Sequence, residues 1–326
     1  MSLYNYLRKK VYGIYLGNMQ RQSTTLLTIL LLLNSCNNIN DNPTNNQDSV
    51  SLSNFTYKPS IPNNIDVNNI EKYSIENYWS NYNFSDSNIT LINNYGEQAF
   101  VDFLNKFSNF DTITIRKSVQ EFIHKLSKQS SSNTSSYFIN IVDSYLYNSN
   151  SPFYNEIYYE YFLENLINSD LLNPNQKLKY QTILNLVRKN QVGSKATDFS
   201  FLSENNLHTL YSIKAENIII IFYEPSCPVC QETIDFLKSS EKLRILIETR
   251  NVQMLAVYPD GDKDIWQNYK SQIPNNWINA IDPDKKIIKR GLYDLKASPT
   301  IYLLDKNKII IAKDCQLEFI KNKFNL

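Results

Sequence analysis

Apolar residues recur at helical spacing through most of the first half of the chain, from residue 70 to residue 189. Apolar side chains three and four residues apart line one face of a helix. Segments with this spacing lie within residues 100–107, 115–126, 138–146 and 180–187, and polar breaks separate them. The pattern predicts an all-α helical domain over residues 69–190.

The pattern changes after residue 192, where short apolar runs alternate with amphipathic segments. Residues 218–223 form a β-branched apolar run, which is typical of a parallel strand buried on both faces. Further strands are predicted at residues 252–258, 300–304 and 309–312, and helices at residues 229–239, 264–272 and 316–323. The alternation predicts an α/β domain over residues 191–326.

The first residues have the features of an export signal. Residues 26–33 are apolar apart from Thr28, and such a segment spans roughly 12 Å as a helix, too little for a bilayer core of about 30 Å. That length is typical of the apolar region of a signal peptide, with Met1 or Met19 as the start. The sequence Leu-Asn-Ser-Cys that ends at Cys36 resembles a bacterial lipobox, in which the cysteine is lipidated after cleavage. We expect a leader over residues 1–36 and a lipid anchor on Cys36; the alternative is an ordinary secretory signal with an incidental cysteine.

Residues 37–68 are rich in Asn, Asp, Ser and Pro and show no periodicity. Such a composition cannot bury enough apolar surface to fold on its own. We expect a disordered tether that holds the folded part away from an inner or outer membrane. Export would place the folded part in the cell envelope, in the periplasm or outside the cell, where a disulfide can persist.

Two cysteines follow the predicted strand at residues 218–223. The sequence Cys-Pro-Val-Cys at residues 227–230 opens the predicted helix at residues 229–239. A helix N-terminus carries a partial positive charge and free N–H groups, which stabilise a thiolate. We therefore expect Cys227 to be exposed with a lowered pKa, and Cys230, one turn further in, to be placed to close a disulfide with it.

Residues 218–230 resemble the active-site strand and loop of thioredoxin-fold proteins, in particular the membrane-tethered TlpA/ResA-like thiol–disulfide oxidoreductases. Residues 192–199 resemble the Gly-x-x-Ala-x-Asp-Phe entry of that family, and residues 297–305 resemble its strand after the cis-proline. The resemblance covers the chain from about residue 192 onward and implies a thioredoxin-like fold there.

The helical region resembles an uncharacterised domain that precedes thioredoxin-like domains in Bacteroidota lipoproteins. Residues 76–79, 84–86 and 97–98 carry the likeness. That resemblance implies no chemistry, and we expect a module for positioning or partner contact.

The thioredoxin-fold resemblance implies a role for each residue of the site. Cys227 would be the nucleophile and Cys230 the resolving thiol, joined as a Cys227–Cys230 disulfide in the oxidised protein. Pro299 resembles the family's cis-proline. Its neighbours Ser298 and Thr300 would offer backbone groups to an extended substrate segment.

Other residues near the cysteines would tune them. Pro228 removes one N–H and Val229 adds bulk between the two thiols. Ser226 stands where the family often has Trp, and Ile221 stands where thioredoxins carry a buried Asp that accepts a proton from the second thiol. Glu224 on the loop is one substitute for that carboxylate, and a merely solvated side chain is the other interpretation. These departures bear on rate and direction rather than on the type of reaction.

Composition excludes several other classes of protein. Lys and Arg number 33 against 32 Asp and Glu, which leaves no basic field for nucleic acid. A zinc site needs about four ligands, whereas this chain has one Cys-x-x-Cys and two scattered histidines. We expect no metal and no cofactor. The Pro-x-x-x-Thr/Ser-x-x-Cys frame of peroxiredoxin-type sites is absent at both Cys227 and Cys230.

The chain has four cysteines, and assigning Cys36 to lipid and two to the site leaves Cys315 unpaired. A buried, inert thiol is the expected state of Cys315, because free cysteine is commonly buried. A resolving or partner-exchanging thiol is the alternative.

We therefore expect a tethered extracytoplasmic thiol–disulfide oxidoreductase that exchanges disulfides with proteins of the cell envelope. The TlpA/ResA-like resemblance favours reduction or isomerisation over oxidation. The alternative is a non-catalytic lipoprotein whose thioredoxin-like domain binds a partner and whose cysteine pair is a structural disulfide, since many proteins use this fold for binding.

Overall fold

A computed structural model describes residues 59–85 and 95–326 of the chain. The predicted leader, Cys36 and most of the predicted tether lie outside the described residues. Within them, helices and turns extend to residue 190, called here the helical half, and a sheet with flanking helices occupies residues 191–326, called the sheet half. Both halves belong to one unit of the chain. The described part contains no helix whose length and apolar character would let it cross a membrane.

The described helices of the helical half are α1 (Ile70–Glu76), α2 (Glu97–Lys106), α3 (Thr112–Gln129), α4 (Ser132–Leu146), α5 (Glu156–Asn168) and α6 (Pro174–Arg188). Side chains at their N-termini explain where several begin. Asp111 and Asn155 each accept a hydrogen bond from the third backbone N–H of α3 and α5, and Asn173 forms a capping box with Gln176 at α6. The predicted all-α region is confirmed, although α5 was not predicted.

Aromatic rings build the core of the helical half. Trp79 is buried and contacts six rings at centroid separations of 4.8–5.7 Å. Phe122 on α3 is fully buried and packs against the rings of Phe100 and Phe162, among others. Edge-to-face and tilted contacts of this kind depend on ring orientation. The aromatic core therefore restricts the angles at which the helices cross, in addition to burying their apolar faces.

The strands of the sheet half are β1 (Ser200–Ser203), β2 (Asn206–Thr209), β3 (Asn217–Phe222), β4 (Val252–Tyr258), β5 (Ile278–Ile281), β6 (Thr300–Asp305) and β7 (Ile310–Ala312). They form one sheet in the order β2-β1-β5-β4-β3-β6-β7. β3, β4 and β5 are parallel, whereas β6 runs antiparallel to β3 and β7 antiparallel to β6. The predicted α/β fold is confirmed as a mixed sheet.

The helices of the sheet half are α7 (Pro228–Ser239), α8 (Glu241–Glu248), α9 (Lys263–Tyr269), α10 (Lys286–Lys289) and α11 (Leu317–Phe324). The predicted helix at residues 264–272 is α9 followed by a 3-10 turn, Lys270–Gln272. The hairpin of β1 and β2, the strand β5 and the helix α8 were not predicted. β1, β2 and β5 are four residues long, too short to show a clear period.

β3 lies in the middle of the sheet with apolar layers on both faces. Its residues Ile218 and Ile220 pack into one layer, and Ile219 and Ile221 pack into the other. All four are fully buried, as the continuous β-branched run predicts. The buried strand therefore fixes the position of the loop at residues 223–227, which follows the C-terminal end of β3.

A buried cluster of charged side chains joins the two halves. Lys296 Nζ lies 2.9 Å from Glu156 Oε1, 3.2 Å from Asp294 Oδ2 and 3.0 Å from Asp314 Oδ2. Lys313 Nζ lies 2.6 Å from the other oxygen of Glu156. Glu156 belongs to the helical half and the other four to the sheet half. These five residues are called the junction cluster.

The pKa values within the junction cluster show how the charges are shared. Burial opposes ionisation of Glu156, but Lys313 and Lys296 outweigh it and hold the pKa of Glu156 below its ordinary value. Burial alone would lower the pKa of Lys296, but Glu156 and Asp314 outweigh it and raise that pKa. Burial raises the pKa of Asp314, and Lys296 only partly offsets it. Glu156 is thus the favoured partner of both lysines.

Side chains also hold the segment at residues 187–190, called the connector, which leads from the helical half into the sheet half. Asn190 is buried; its amide group donates to Leu292 O at 2.8 Å, and its oxygen accepts from Thr197 N at 2.8 Å. Lys313 Nζ donates to the carbonyl oxygens of Val187 and Lys189 at 3.0 and 2.8 Å. The connector is therefore hydrogen-bonded to three separate segments of the sheet half, at Thr197, Leu292 and Lys313.

Candidate active site

The two cysteines of the predicted site lie at the start of α7. Cys227 is the N-cap residue, and its Sγ accepts a hydrogen bond from Cys230 N at 3.2 Å. Pro228 occupies the first helical turn, where a missing N–H costs nothing. Cys227 is half-buried, not exposed as the sequence predicts, because the Ser298–Pro299 loop lies against its sulfur, and Cys230 is fully buried. Both are thiols in this structure, and the disulfide between them stays a prediction for the oxidised protein.

The loop before β6 comes up against the first cysteine. The peptide bond between Ser298 and Pro299 is cis, and Cys227 Sγ donates to Ser298 O at 3.4 Å. Thr300 is buried and its hydroxyl donates to Ala297 O at 2.6 Å. The fold thus brings residues about seventy positions apart in the sequence to the same sulfur. Their role in holding a substrate stays a prediction.

The two thiols have different surroundings. Burial raises the pKa of Cys230 to about 12, and the neighbouring Cys227 thiol adds to the effect. Cys230 is consequently a protonated thiol at neutral pH. Val229, between the cysteines, is 56% exposed, and Ser226 is exposed as well. Thiol–disulfide exchange in two steps requires one sulfur that a substrate can reach, here Cys227, and a second, protonated sulfur next to it, here Cys230.

Glu224 is half-buried and lies on the loop between β3 and α7. Burial raises its pKa, and the negative charge of Asp260 adds to the shift. Ile221, at the position where thioredoxins carry an Asp, is fully buried in the sheet, so no carboxylate enters the core from there. The charge of Glu224 makes a small contribution to the raised pKa of the Cys230 thiol, and the Glu224 backbone lowers that pKa by more. The service of Glu224 as proton acceptor stays a prediction.

Tyr269 is a site residue that the sequence analysis missed. Its hydroxyl donates to Gln231 Oε1 at 2.6 Å, and its ring stacks on Tyr223 at 5.4 Å. Burial raises the pKa of Tyr269, and the nearby Cys230, Asp235 and Cys227 would add to the shift when ionised. Tyr269 therefore lies near the cysteine pair, on α9. Nothing in the local sequence of α9 signals this, because the contact depends on how the helix crosses the sheet.

A cleft of about 470 Å³ opens beside the cysteines, at the junction of the two halves. Tyr147 and Leu186 line it from the helical half. From the sheet half, Glu224, Asp260, Tyr293 and Ser298 are among the residues that line it. This junction cleft has no counterpart in the sequence analysis, since its walls are far apart in the chain.

Cys315 lies apart from the cleft lining, at the end of β7. It is half-buried and its backbone N–H donates to Ile301 O at 3.0 Å. Burial raises the pKa of its thiol to about 12, and Asp314 adds to the effect. A thiol that stays protonated is a poor nucleophile. Cys230 has a similarly raised pKa, so this shift alone does not separate an inert thiol from an exchanging one, and the role of Cys315 stays a prediction.

Within the described residues, no cluster of His, Cys, Asp and Glu side chains has the arrangement of a metal site. A strand that leads into Cys-x-x-Cys at a helix N-terminus, facing a cis-proline loop, defines a site of the thioredoxin type.

Comparison with known proteins agrees with that class. The Redoxin family matches residues 191–318, and a family described as a domain of unknown function, DUF5106, matches residues 34–190. The crystal structure of a thioredoxin-like protein from Bacteroides caccae is 30% identical to this chain, with a TM-score of 0.71, and the match covers 84% of this chain and 99% of that one. The chain belongs to the thioredoxin-like proteins.

Two further solved structures match a smaller share of the chain. The C-terminal domain of an uncharacterised protein from Bacteroides fragilis is 33% identical, covers 42% of this chain and 99% of that one, and has a TM-score of 0.41. The thioredoxin domain of a thiol–disulfide oxidoreductase from Bacteroides vulgatus is 17% identical, covers 41% and 99%, and has a TM-score of 0.36. A search of curated proteins found no match.

Proposed function

We propose that the protein is a thiol–disulfide oxidoreductase that acts on protein clients through Cys227 and Cys230. The observation that carries the proposal is the placement of the Cys227 thiol, which caps α7, reaches Ser298 O and is backed by a buried second thiol. A structural disulfide needs neither an accessible sulfur nor a cis-proline loop beside it.

The proposed reaction proceeds in two exchanges. The thiolate of Cys227 attacks a client disulfide, so that a Cys227–client disulfide forms, the client S–S bond breaks and one client sulfur leaves as a thiolate. Cys230 then loses its proton and attacks Cys227 Sγ, which forms the Cys227–Cys230 disulfide and releases the second client thiolate. Two electrons pass from the cysteine pair to the client, and the protons of the two thiols end on the client thiols.

Reduction or isomerisation is the direction we propose. A redox titration tests both the function and the direction. The chain without residues 1–36 is equilibrated in dithiol/disulfide buffers, and mass spectrometry reads the state of the pair at each potential. A reversible transition between about −300 and −100 mV, the range of exchange enzymes, is expected, towards its negative end for a reductant. A pair that stays oxidised well below about −300 mV would instead be a structural disulfide in a binding module.

We also propose that the protein is a lipoprotein of the cell envelope, anchored through Cys36. The apolar run at residues 26–33 and the Leu-Asn-Ser-Cys sequence support this. Radiolabelled palmitate should enter the wild-type chain during expression in a bacterial host and should not enter Cys36→Ala. Label that persists in Cys36→Ala would contradict the anchor and leave the exchange chemistry untouched.

A further inference from the structure

Two residues that contact Cys227 also line the junction cleft, although neither cysteine lines it. Ser298, which accepts the hydrogen bond from Cys227 Sγ, also lines the cleft. Glu224 lines it as well, and its carbonyl oxygen accepts from Cys227 N at 3.0 Å. A client cysteine that reaches Cys227 therefore carries its adjacent side chains over or into this space.

The size and the walls of the cleft suit a peptide segment. Its volume of about 470 Å³ lies within the roughly 300–1,000 Å³ of typical binding pockets. Apolar and aromatic side chains form much of the wall, including Tyr147 and Leu186 from the helical half and Ile288 and Tyr293 from the sheet half. An aliphatic side-chain stem would lie against such walls.

Negative charge exceeds positive charge among the residues that line the cleft. Glu224 carries no ion pair with any lysine or arginine in the described part of the chain, and Asp260, also lining the cleft, is its negative neighbour. Asp260 has a partner of its own, Lys285, at 2.9 Å. The remaining charged residues of the lining are Asp294 and Lys296. Both are bound within the junction cluster, which holds two lysines against three carboxylates. Glu224 has a hydrogen bond with Ser226 but no ion pair within the described residues, so a basic side chain in the cleft would complement its charge.

We infer that the junction cleft selects clients whose reactive cysteine lies within a few residues of a lysine or arginine. The long stem of such a side chain packs against the apolar walls while its charged end reaches Glu224. The helical half takes part directly, because Leu186 and Tyr147 form one wall. The inference rests on the proposed function, and it names the client as an extended, basic, cysteine-containing protein segment.

The first exchange with defined peptides tests this selection. Short peptides, each with one cysteine joined to thionitrobenzoate as a mixed disulfide, carry Lys, Gln or Glu on both sides of the cysteine. Cys227 attacks the peptide sulfur, and the thionitrobenzoate leaves because its thiol has the lower pKa. In a Cys230→Ser chain the Cys227–peptide disulfide persists, so the release of thionitrobenzoate reports the rate of a single step. Hydroxyethyl disulfide, which is neutral, measures the intrinsic reactivity of Cys227.

The Lys peptide is expected to react roughly fivefold faster than the Glu peptide, with the Gln peptide between them, which corresponds to the upper end of about 1 kcal/mol for an exposed ion pair. The difference should shrink in about 1 M salt, where screening acts over roughly 3 Å. Glu224→Gln, added to the Cys230→Ser chain, should reduce the preference to less than about twofold. Each rate is divided by the rate with hydroxyethyl disulfide, so that any effect of Glu224 on the thiol itself cancels.

Two further variants locate the selection. Glu232→Gln removes an exposed carboxylate of α7 that does not line the cleft, and it should keep the full preference. Leu186→Lys adds a cation to the wall from the helical half and should favour the Glu peptide. The inference is overturned if hydroxyethyl disulfide reacts while the peptides show no preference, or if Glu224→Gln leaves the preference unchanged. Failure of Cys227 to react with hydroxyethyl disulfide and with every peptide would overturn the proposed function itself.

Discussion

The two halves of the molecule bury their cores differently and contribute different things to the site. The helical half packs aromatic rings around Trp79 and Phe122 and supplies no sulfur to the site, whereas the sheet half packs aromatic rings on both sides of an aliphatic central strand, β3, and supplies both thiols. Yet the helical half provides one wall of the junction cleft and the carboxylate of Glu156 at the junction cluster. The sheet half thus holds the two thiols, and the helical half forms part of the neighbouring cleft and of the junction cluster.

The largest expected effect is loss of exchange when the chemistry is removed from the sheet half. Cys227→Ser should lower the rate of disulfide reduction about a thousandfold or more, because a hydroxyl cannot replace the thiolate nucleophile. The free energy of unfolding of the reduced protein should change little. Single-turnover assays with hydroxyethyl disulfide measure the rate. Cys315→Ala, which also removes one thiol, should retain activity; equal losses in both variants would contradict the assignment.

A cavity in either core should destabilise the whole unit. Phe122→Ala in the helical half and Ile221→Ala in the sheet half each remove a fully buried side chain, at a cost of about 2–5 kcal/mol. Because the junction cluster and the connector join the halves, both substitutions should shift the same urea transition. In a Trp266→Phe, Trp277→Phe background, Trp79 is the remaining tryptophan, so its fluorescence would follow the helical half, while the reactivity of Cys230 towards an alkylating agent would follow the sheet half. Two separated transitions would show that the halves unfold independently.

Loss of the central cation of the junction cluster should have a somewhat smaller effect. Lys296→Met removes an ammonium group that lies within 3.2 Å of three carboxylates and leaves Lys313 to balance them. We expect a loss of about 3 kcal/mol of unfolding free energy, since the carboxylates stay buried without enough positive charge. Lys117→Met breaks the exposed pair with Glu76 and should cost under about 1 kcal/mol. Equal costs would contradict the role of the junction cluster.

The smallest effect distinguishes two carboxylates of the same cluster by pH. The folded-state pKa of Glu156 is lowered, so its ionised form stabilises the fold above the ordinary glutamate pKa of about 4.3, and this is lost as the pH falls through the folded value. The folded-state pKa of Asp314 is raised, so its ionised form costs stability at neutral pH, and protonation relieves that cost.

At pH 7, Glu156→Gln should therefore destabilise the protein, whereas Asp314→Asn should be neutral or stabilise it by up to about 1 kcal/mol. The gap between the two variants should narrow as the pH approaches the folded pKa of Glu156. Urea midpoints measured at pH 7 and at lower pH check this. Equal destabilisation by both variants at pH 7 would show that the two carboxylates share the lysines evenly.

The cysteine site could be predicted because its signal is local. The run of isoleucines in β3, the loop and Cys227 and Cys230 are contiguous, and burial, helix capping and sulfur chemistry act over that short distance. The cis-proline loop at Pro299 was found through resemblance rather than through any local pattern. Glu224 was noted in the sequence, but its half-buried state came only from the fold.

The rest depends on contacts between distant residues. Lys296 and Glu156 are 140 positions apart, and nothing near either residue indicates that the other will neutralise it. α5 was missed because its tyrosines and phenylalanine lie on more than one face, which obscures the helical period. The position of Tyr269 at the site and the walls of the junction cleft likewise depend on how helices and strands pack together. A short stretch of sequence carries no information about that packing.

The bonded connector has a consequence for the entropy of client binding. Two domains on a flexible linker lose relative translational and rotational freedom when they close around a client, and that loss weakens binding. Here Asn190 and Lys313 hold the connector on both sides, so the halves lose this freedom when the chain folds. When a client binds in the junction cleft, the conformational entropy that is lost would then be mainly that of the client. Under the proposed function, the flexibility of the client, rather than that of the two halves, would set the entropic cost of binding.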